Sequence, residues 1–158
     1  MIVAVVADTH AKTQPIIREL KKFKPDHLLF AGDHYVDGQK IARSLSIPFN
    51  AVAGNCDAGN SRPQEETISL MEHCIYLVHG HQLGVKSSLN RLYYRAKELN
   101  ADLAIFGHTH YPHLEKIDDI WLVNPGSPSR PRLGEKGSYA IITVTSETIH
   151  PNIITCEN

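Results

Sequence analysis

The chain has 158 residues, of which 42% are hydrophobic and 21% charged, enough to build one soluble domain (1–158) around its own core. A formal net charge of −1 argues against a broad binder of nucleic acid or membrane surfaces, because such proteins carry a basic excess. Three widely spaced cysteines, Cys56, Cys74 and Cys156, make neither a disulfide framework nor a C-x-x-C zinc site, so the expected setting is reducing and cytoplasmic.

The chain opens on the β-branched run Ile2 to Ala7, which reads as a central strand covered on both faces. It is too short, and lacks the basic flank, for a secretory signal, and no segment approaches the length of a membrane span. After a polar turn, Thr13 is positioned to cap a helix with Pro15 just inside it. Ile16, Ile17, Leu20 and Phe23 fall on one face of that helix. Lys24-Pro25-Asp26 ends it, and a second strand, His27 to Ala31, is closed by Gly32-Asp33. A helix over Gly38 to Leu45 leads to a third strand, Phe49 to Ala53, closed by Gly54-Asn55. This alternation predicts parallel strands in an α/β arrangement.

A polar loop is expected around Asn60 to Glu66, then strands at Thr67 to Leu70 and Ile75 to Val78. Leu89, Leu92, Tyr93, Ala96 and Leu99 mark a helix over Ser87 to Leu99. A buried strand at Leu103 to Phe106 follows. The remaining strands, His113 to Ile117, Trp121 to Val123, Ser138 to Thr145 and Ile149 to Ile154, have no helices between them and read as antiparallel.

The polar residues that carry chemistry share one structural address. Asp8 and His10 follow the first strand, Asp33 the second and Asn55 the third. His79 and His81 follow a later strand, and His108 and His110 follow Leu103 to Phe106. In α/β proteins such strand ends lie along one edge, where sites are built. Carboxylate, imidazole and amide oxygen together suit a divalent metal, and the lack of thiolates argues against structural zinc. Seven ligands exceed what one open site needs, and Asp33 has two oxygens with which to bridge a pair of ions about 3.5–4 Å apart. Two divalent ions with two carboxylates and a hydroxide leave a charge of roughly +1, which an anionic phosphodiester would neutralise. Taken singly, a D-x-H turn or a G-D after a strand is ordinary turn chemistry. The whole ordered set is not.

In these blocks, D-T-H at 8–10, G-D at 32–33, G-N-C-D at 54–57, H-G-H at 79–81 and G-H-T-H at 107–110, the chain resembles the calcineurin-like metallophosphoesterases. N-P-G-S at 124–127 and the Pro/Arg stretch after it resemble the compact microbial phosphodiesterase branch of that family, the YfcE-like group. The resemblance implies an α/β fold, an αββα sandwich of two mixed β-sheets flanked by helices. It implies a first metal held by Asp8, His10 and His110 and a second by Asn55, His79 and His108, with Asp33 bridging and His81 beside the site. Manganese is the first expectation, with nickel, zinc or iron also compatible. The implied activity is attack of a metal-bridging hydroxide on a small phosphodiester, with nucleic acid only as a possible substrate, no membrane partner, and a homodimer as a possible assembly.

Cys56 departs from the wider superfamily, where many members have a leaving-group-protonating His at that position. A thiol is a poor replacement, which points to substrates whose leaving groups need little protonation. The segment from Ser127 to Arg132, carrying Arg130 and Arg132, reads either as a phosphate-contacting loop, with Arg130 and Ser127 the expected substrate contacts, or as an ordinary solvated loop; a guanidinium can grip phosphate bidentately. His27, His34, His73, His113 and His150 belong to no block and read as surface or packing residues. The competing functions are a protein-binding scaffold, as in the retromer subunit vacuolar protein sorting 29, and a one-metal hydrolase of another bond. The presence of both Asp33 and Asn55 weighs against the first, and the surplus of ligands against the second.

Overall fold

The computed structural model describes residues 1–59 and 61–157. Its elements run β1 (Ile2–Val6), α1 (Thr13–Lys21), β2 (His27–Phe30), α2 (Tyr35–Leu45), β3 (Phe49–Ala51), β4 (Glu65–Leu70), β5 (His73–Val78), α3 (Asn90–Glu98), β6 (Leu103–Ile105), β7 (Pro112–Ile117), β8 (Ile120–Pro125), β9 (Ser138–Val144) and β10 (Ile149–Thr155). A 3-10 turn at His81–Leu83 lies between β5 and α3. They form two five-stranded sheets, ordered β10-β9-β1-β2-β3 and β4-β5-β6-β8-β7.

The apolar alternation within the strands explains the layers. In β1, Val3 and Val5 face the second sheet with Leu29, Leu77, Ile105 and Val123. Ala4 and Val6 face outward and pack with Leu28 and Phe30 against Ile16, Ile17 and Leu20 of α1 and Ile41 of α2. On the other side Tyr76, Ala104 and Leu122 meet Leu92 and Ala96 of α3. A strand buried on both faces needs an unbroken apolar run, which is why β1 carries one. The result is the four-layer αββα sandwich of two mixed sheets that the family resemblance implies.

Several details differ from the sequence expectation. Thr13 is the first residue of α1 rather than its cap; Lys12 holds the cap position, and no side-chain bond closes that end. Helix α2 starts at Tyr35 instead of Gly38, entered through a left-handed His34 (φ 65°). In the second half, β8 pairs antiparallel with β7 but parallel with β6, so the late strands are not all antiparallel. Part of the loop expected around Asn60 to Glu66 lies outside the described residues, and Glu65 and Glu66 already belong to β4.

Candidate metal centre

The five ligand-bearing loops come from both sheets. Those after β1, β2 and β3 deliver Asp8, His10, Asp33 and Asn55; those after β5 and β6 deliver His79, His81, His108 and His110. They meet at one end of the sandwich, not along one edge of a single sheet as the sequence order suggests. Getting them there requires unusual backbone. Asp8, His10, Ala11, His34, His108 and His110 all have φ between 45° and 67°, in the left-handed region that side chains other than Gly rarely adopt. Such conformations cost of order 1 kcal/mol each and persist only where the surroundings impose them.

Two imidazoles are aimed by backbone carbonyls. His79 Nδ1 donates to Ala31 O (2.7 Å) and His110 Nδ1 donates to Arg130 O (2.6 Å), which leaves both Nε2 atoms facing the cluster. His79 Nε2 then meets Asn55 Oδ1 at 3.1 Å and Asp33 Oδ1 at 3.3 Å. His110 Nε2 meets His10 Nε2 at 3.1 Å and Asp8 Oδ1 at 3.5 Å. Asp8 is fully buried and its Oδ1 has no hydrogen-bond donor. Lone pairs crowded in this way, with the outer nitrogen of each ring tied to a carbonyl, are the arrangement of imidazole ligands to a cation. Asp8, His10 and His110 form one group able to grip an ion, and Asp8, Asp33 and His79 another. The donor set therefore fits divalent metal.

The charges respond to this crowding. Burial opposes ionisation of Asp33, but the neighbouring His79 and the Cys56 N–H (3.0 Å) outweigh it and draw its pKa down. Burial, reinforced by His79 and Lys86, lowers His108 to about 4, so its ring is neutral at physiological pH. Burial and His110 lower His10, whereas the neighbouring Asp8 carboxylate raises His110. At Cys56 burial and the Asp33 carboxylate push the thiol up to about 11.

Three polar residues, Asp37 and Asn124 buried and Asp57 half-buried, brace the loops that carry the candidate ligands, and the motif reading assigned them no part. Asp37 of α2 is buried and accepts from Thr9 Oγ1 (2.8 Å) and Ala11 N (2.7 Å), clamping the Asp8–His10 turn. Asp57 accepts from Tyr35 N (2.7 Å) and Gly54 N (2.8 Å), joining the second and third loops. Asn124 donates to Gly107 O (2.9 Å) and Thr109 Oγ1 (3.0 Å), shaping the G-H-T-H turn. The only sequence hint was their place inside or beside the ligand motifs.

Ser127 requires a correction. It is fully buried, donates to Asp8 O (2.8 Å) and accepts from Arg130 N (2.8 Å). Its hydroxyl is committed to holding the Asp8 loop, so it is not the substrate contact expected from the sequence. Arg130 is exposed, and it lines a cavity with His108 and His110. Cys56 is exposed next to Asn55. His81 stands against His79 and His108 (ring centroids 5.3 and 6.0 Å) with its buried Nδ1 unpartnered. His34, read as a surface or packing residue, in fact stands edge-on to His10 at 5.5 Å, within reach of Cys56.

Comparison with known proteins agrees with this geometry. The family model described as the calcineurin-like phosphoesterase superfamily domain matches residues 1–147. The chain belongs to that superfamily. It is 32% identical over 149 residues to a Bacillus subtilis protein named “Probable metallophosphoesterase YsnB”, covering 93% of this chain and 86% of that one. Against the phosphodiesterase YfcE of Escherichia coli K12 it is 31% identical over 103 residues, 58% of this chain and 50% of YfcE. The fold of wild-type Vps29 from Entamoeba histolytica, solved with Zn2+, superimposes with a TM-score of 0.80 at 21% identity, covering 99% of this chain and 100% of that one. The phosphoesterase family read from the five motifs is thus the family of the chain, and the scaffold named as its rival shares the fold.

Proposed function

We propose that this metallophosphoesterase is a phosphodiesterase working with a pair of divalent ions, manganese first, held by Asp8, His10 and His110 on one side and Asn55, His79 and His108 on the other, with Asp33 between. The observation that carries the reading is His79: its Nδ1 donates to Ala31 O, and its Nε2 faces the oxygens of Asn55 and Asp33 with no donor among them. Bound there, the ions would supply Lewis acidity to the phosphoryl oxygens and a water nucleophile at neutral pH. In the hydrolysis, water adds to phosphorus, one ester P–O bond breaks, and the leaving oxygen takes a proton to give an alcohol and a phosphomonoester.

The chain's own groups then have distinct tasks. Asn55 Nδ2, beside Cys56 Sγ at 3.6 Å, is a neutral donor for a phosphoryl oxygen as charge develops there. Arg130 is positioned at the rim to hold the diester anion. Cys56, with its pKa near 11, is a weak proton donor, so the enzyme favours leaving groups that depart without much help. A steep dependence of rate on leaving-group pKa supports that assignment, and a flat one removes it.

The direct test is hydrolysis of bis(p-nitrophenyl) phosphate by metal-stripped protein with manganese, nickel or zinc restored, beside Asp33→Ala. Metal-dependent turnover that disappears in the variant is the expected result. A folded protein without turnover under any metal would overturn the reading in favour of a binding scaffold.

A further inference from the structure

Next to the ligand cluster lies a cavity of about 320 Å³, walled by Lys86, His108, His110, Arg130, Arg132 and Leu133. Its size is at the lower end of small-ligand sites, roughly 300–1,000 Å³. Three separate loops build it: the one entering α3 brings Lys86, the G-H-T-H turn brings the histidines, and the segment after β8 brings both arginines. Among the described residues no acidic side chain lines it. Among the described residues neither Lys86, Arg130 nor Arg132 forms an ion pair, although the chain as a whole is slightly acidic.

The arginine loop is held in place by contacts that leave its charge free. Arg130 O accepts from His110 Nδ1, and Arg132 Nε donates to Thr109 O (3.0 Å), so its two terminal nitrogens remain available. Leu133, fully exposed, forms an apolar lip. Three cations exceed what one diester anion requires, particularly beside metal ions. A surplus of fixed positive charge in a concave wall selects ligands that bring a matching surplus of negative charge.

We propose that the substrate carries a second phosphate next to the scissile diester, and that Lys86 and Arg132 bind it in this cavity while the diester lies at the ligand cluster. The inference rests on the phosphodiesterase reading and names its substrate class. The second phosphate could belong to a small phosphorylated diester or to the neighbouring nucleotide of a strand; the recognising chemistry is the same.

The test uses the manganese-loaded enzyme and three substrates, bis(p-nitrophenyl) phosphate and a thymidine dinucleotide with and without a terminal 5′-phosphate, with a longer oligothymidylate lacking that phosphate as a control. The expected result is a lower KM for the phosphorylated dinucleotide. Lys86→Ala should reduce that discrimination about tenfold, the worth of one charge-assisted contact, with Lys86→Glu abolishing it. Both substitutions are at an exposed side chain without partners, so the fold is retained. The discrimination should also shrink with added salt. An equal advantage for a longer oligothymidylate lacking the terminal phosphate assigns the cavity to a strand; no such advantage assigns it to small diesters. Turnover of bis(p-nitrophenyl) phosphate without discrimination, or discrimination that survives both variants, overturns this inference alone. Absence of turnover on all three substrates overturns the reading beneath it as well.

Discussion

His73 and His79 stand at opposite ends of the same strand, β5, and have opposite fates. His73 opens a cavity of about 290 Å³ with Asp102, Trp121 and Glu147. Its Nε2 donates to Thr145 O (3.0 Å) and its Nδ1 lies 3.7 Å from Asp102, whose Oδ2 accepts from Cys74 N (2.8 Å). Asp102 is half exposed there, so water can complete the set. His79 also has one nitrogen on a carbonyl, but its other nitrogen faces oxygens that offer no proton. A histidine at a strand end is therefore marked as a candidate ligand when its second nitrogen is buried among such oxygens, where water does not reach it. Residue type and cavity size do not distinguish the two ends.

The largest effect that separates these ends is expected from Asp33→Ala, which removes a buried carboxylate from the Asp8, Asp33 and His79 group, proposed above to lie between the two ions, and abolishes metal-dependent turnover. Metal content after dialysis should fall with it. Next comes Gly54→Ala. A Cβ there would lie 1.8 Å from Asp33 Oδ1, so the carboxylate must move. A displacement of about 1 Å at a reacting centre costs on the order of 10²-fold in rate, measurable as kcat on bis(p-nitrophenyl) phosphate. If Gly54→Ala keeps full activity, the third loop does not position Asp33.

Asn124→Ala should act through the fold of the G-H-T-H turn. Removing the donor to Gly107 O lowers stability by about 1–3 kcal/mol and activity by roughly 10–100-fold. Thermal unfolding together with titration of manganese separates the two consequences. At the opposite end, His73→Ala deletes one hydrogen bond and should cost about 1 kcal/mol, lowering Tm by roughly 2–4 °C with turnover unaltered. A loss of activity there would break the contrast between the two ends.

The smallest effect concerns the salt bridge between Arg95 and Glu65 (2.7 Å), which ties α3 to β4 away from both cavities. The bond from Arg95 holds the Glu65 carboxyl below its ordinary value. A depressed folded-state pKa contributes stability above the unfolded value, about 4.3, and that contribution is lost as pH falls through the folded one. The Tm difference between wild type and Arg95→Ala should therefore be present at neutral pH and close in acid. Both partners are substantially exposed, so salt will weaken it too.

The candidate ligands were legible because each is chemically distinctive and sits where an apolar run stops. Asp8, Asp33, Asn55, His79, His108 and His110 could be picked out from motif order, and the structure brings them together. Asp37 was invisible because one Asp in a helix looks like solvated surface until Thr9 and Ala11 are seen to donate to it. Ser127 was visible as part of a motif but misjudged: its hydroxyl faces the Asp8 carbonyl, a contact across 119 positions of sequence. Lys86 was missed for the same reason as Asp37. An isolated lysine gains meaning only from the arginines that the loop after β8 places across the cavity from it.

Strand and helix identity and the candidate ligand residues were legible in the sequence because hydrophobic period and residue chemistry are local properties, while the four-layer fold was what the family resemblance implied. Which loops meet was decided by the stacking of the two sheets. That stacking puts the ends of β1, β2 and β3 opposite those of β5 and β6. Whether a nitrogen, carboxylate or hydroxyl is free for chemistry was decided there too, since a polar group's availability depends on partners that packing supplies from distant parts of the chain.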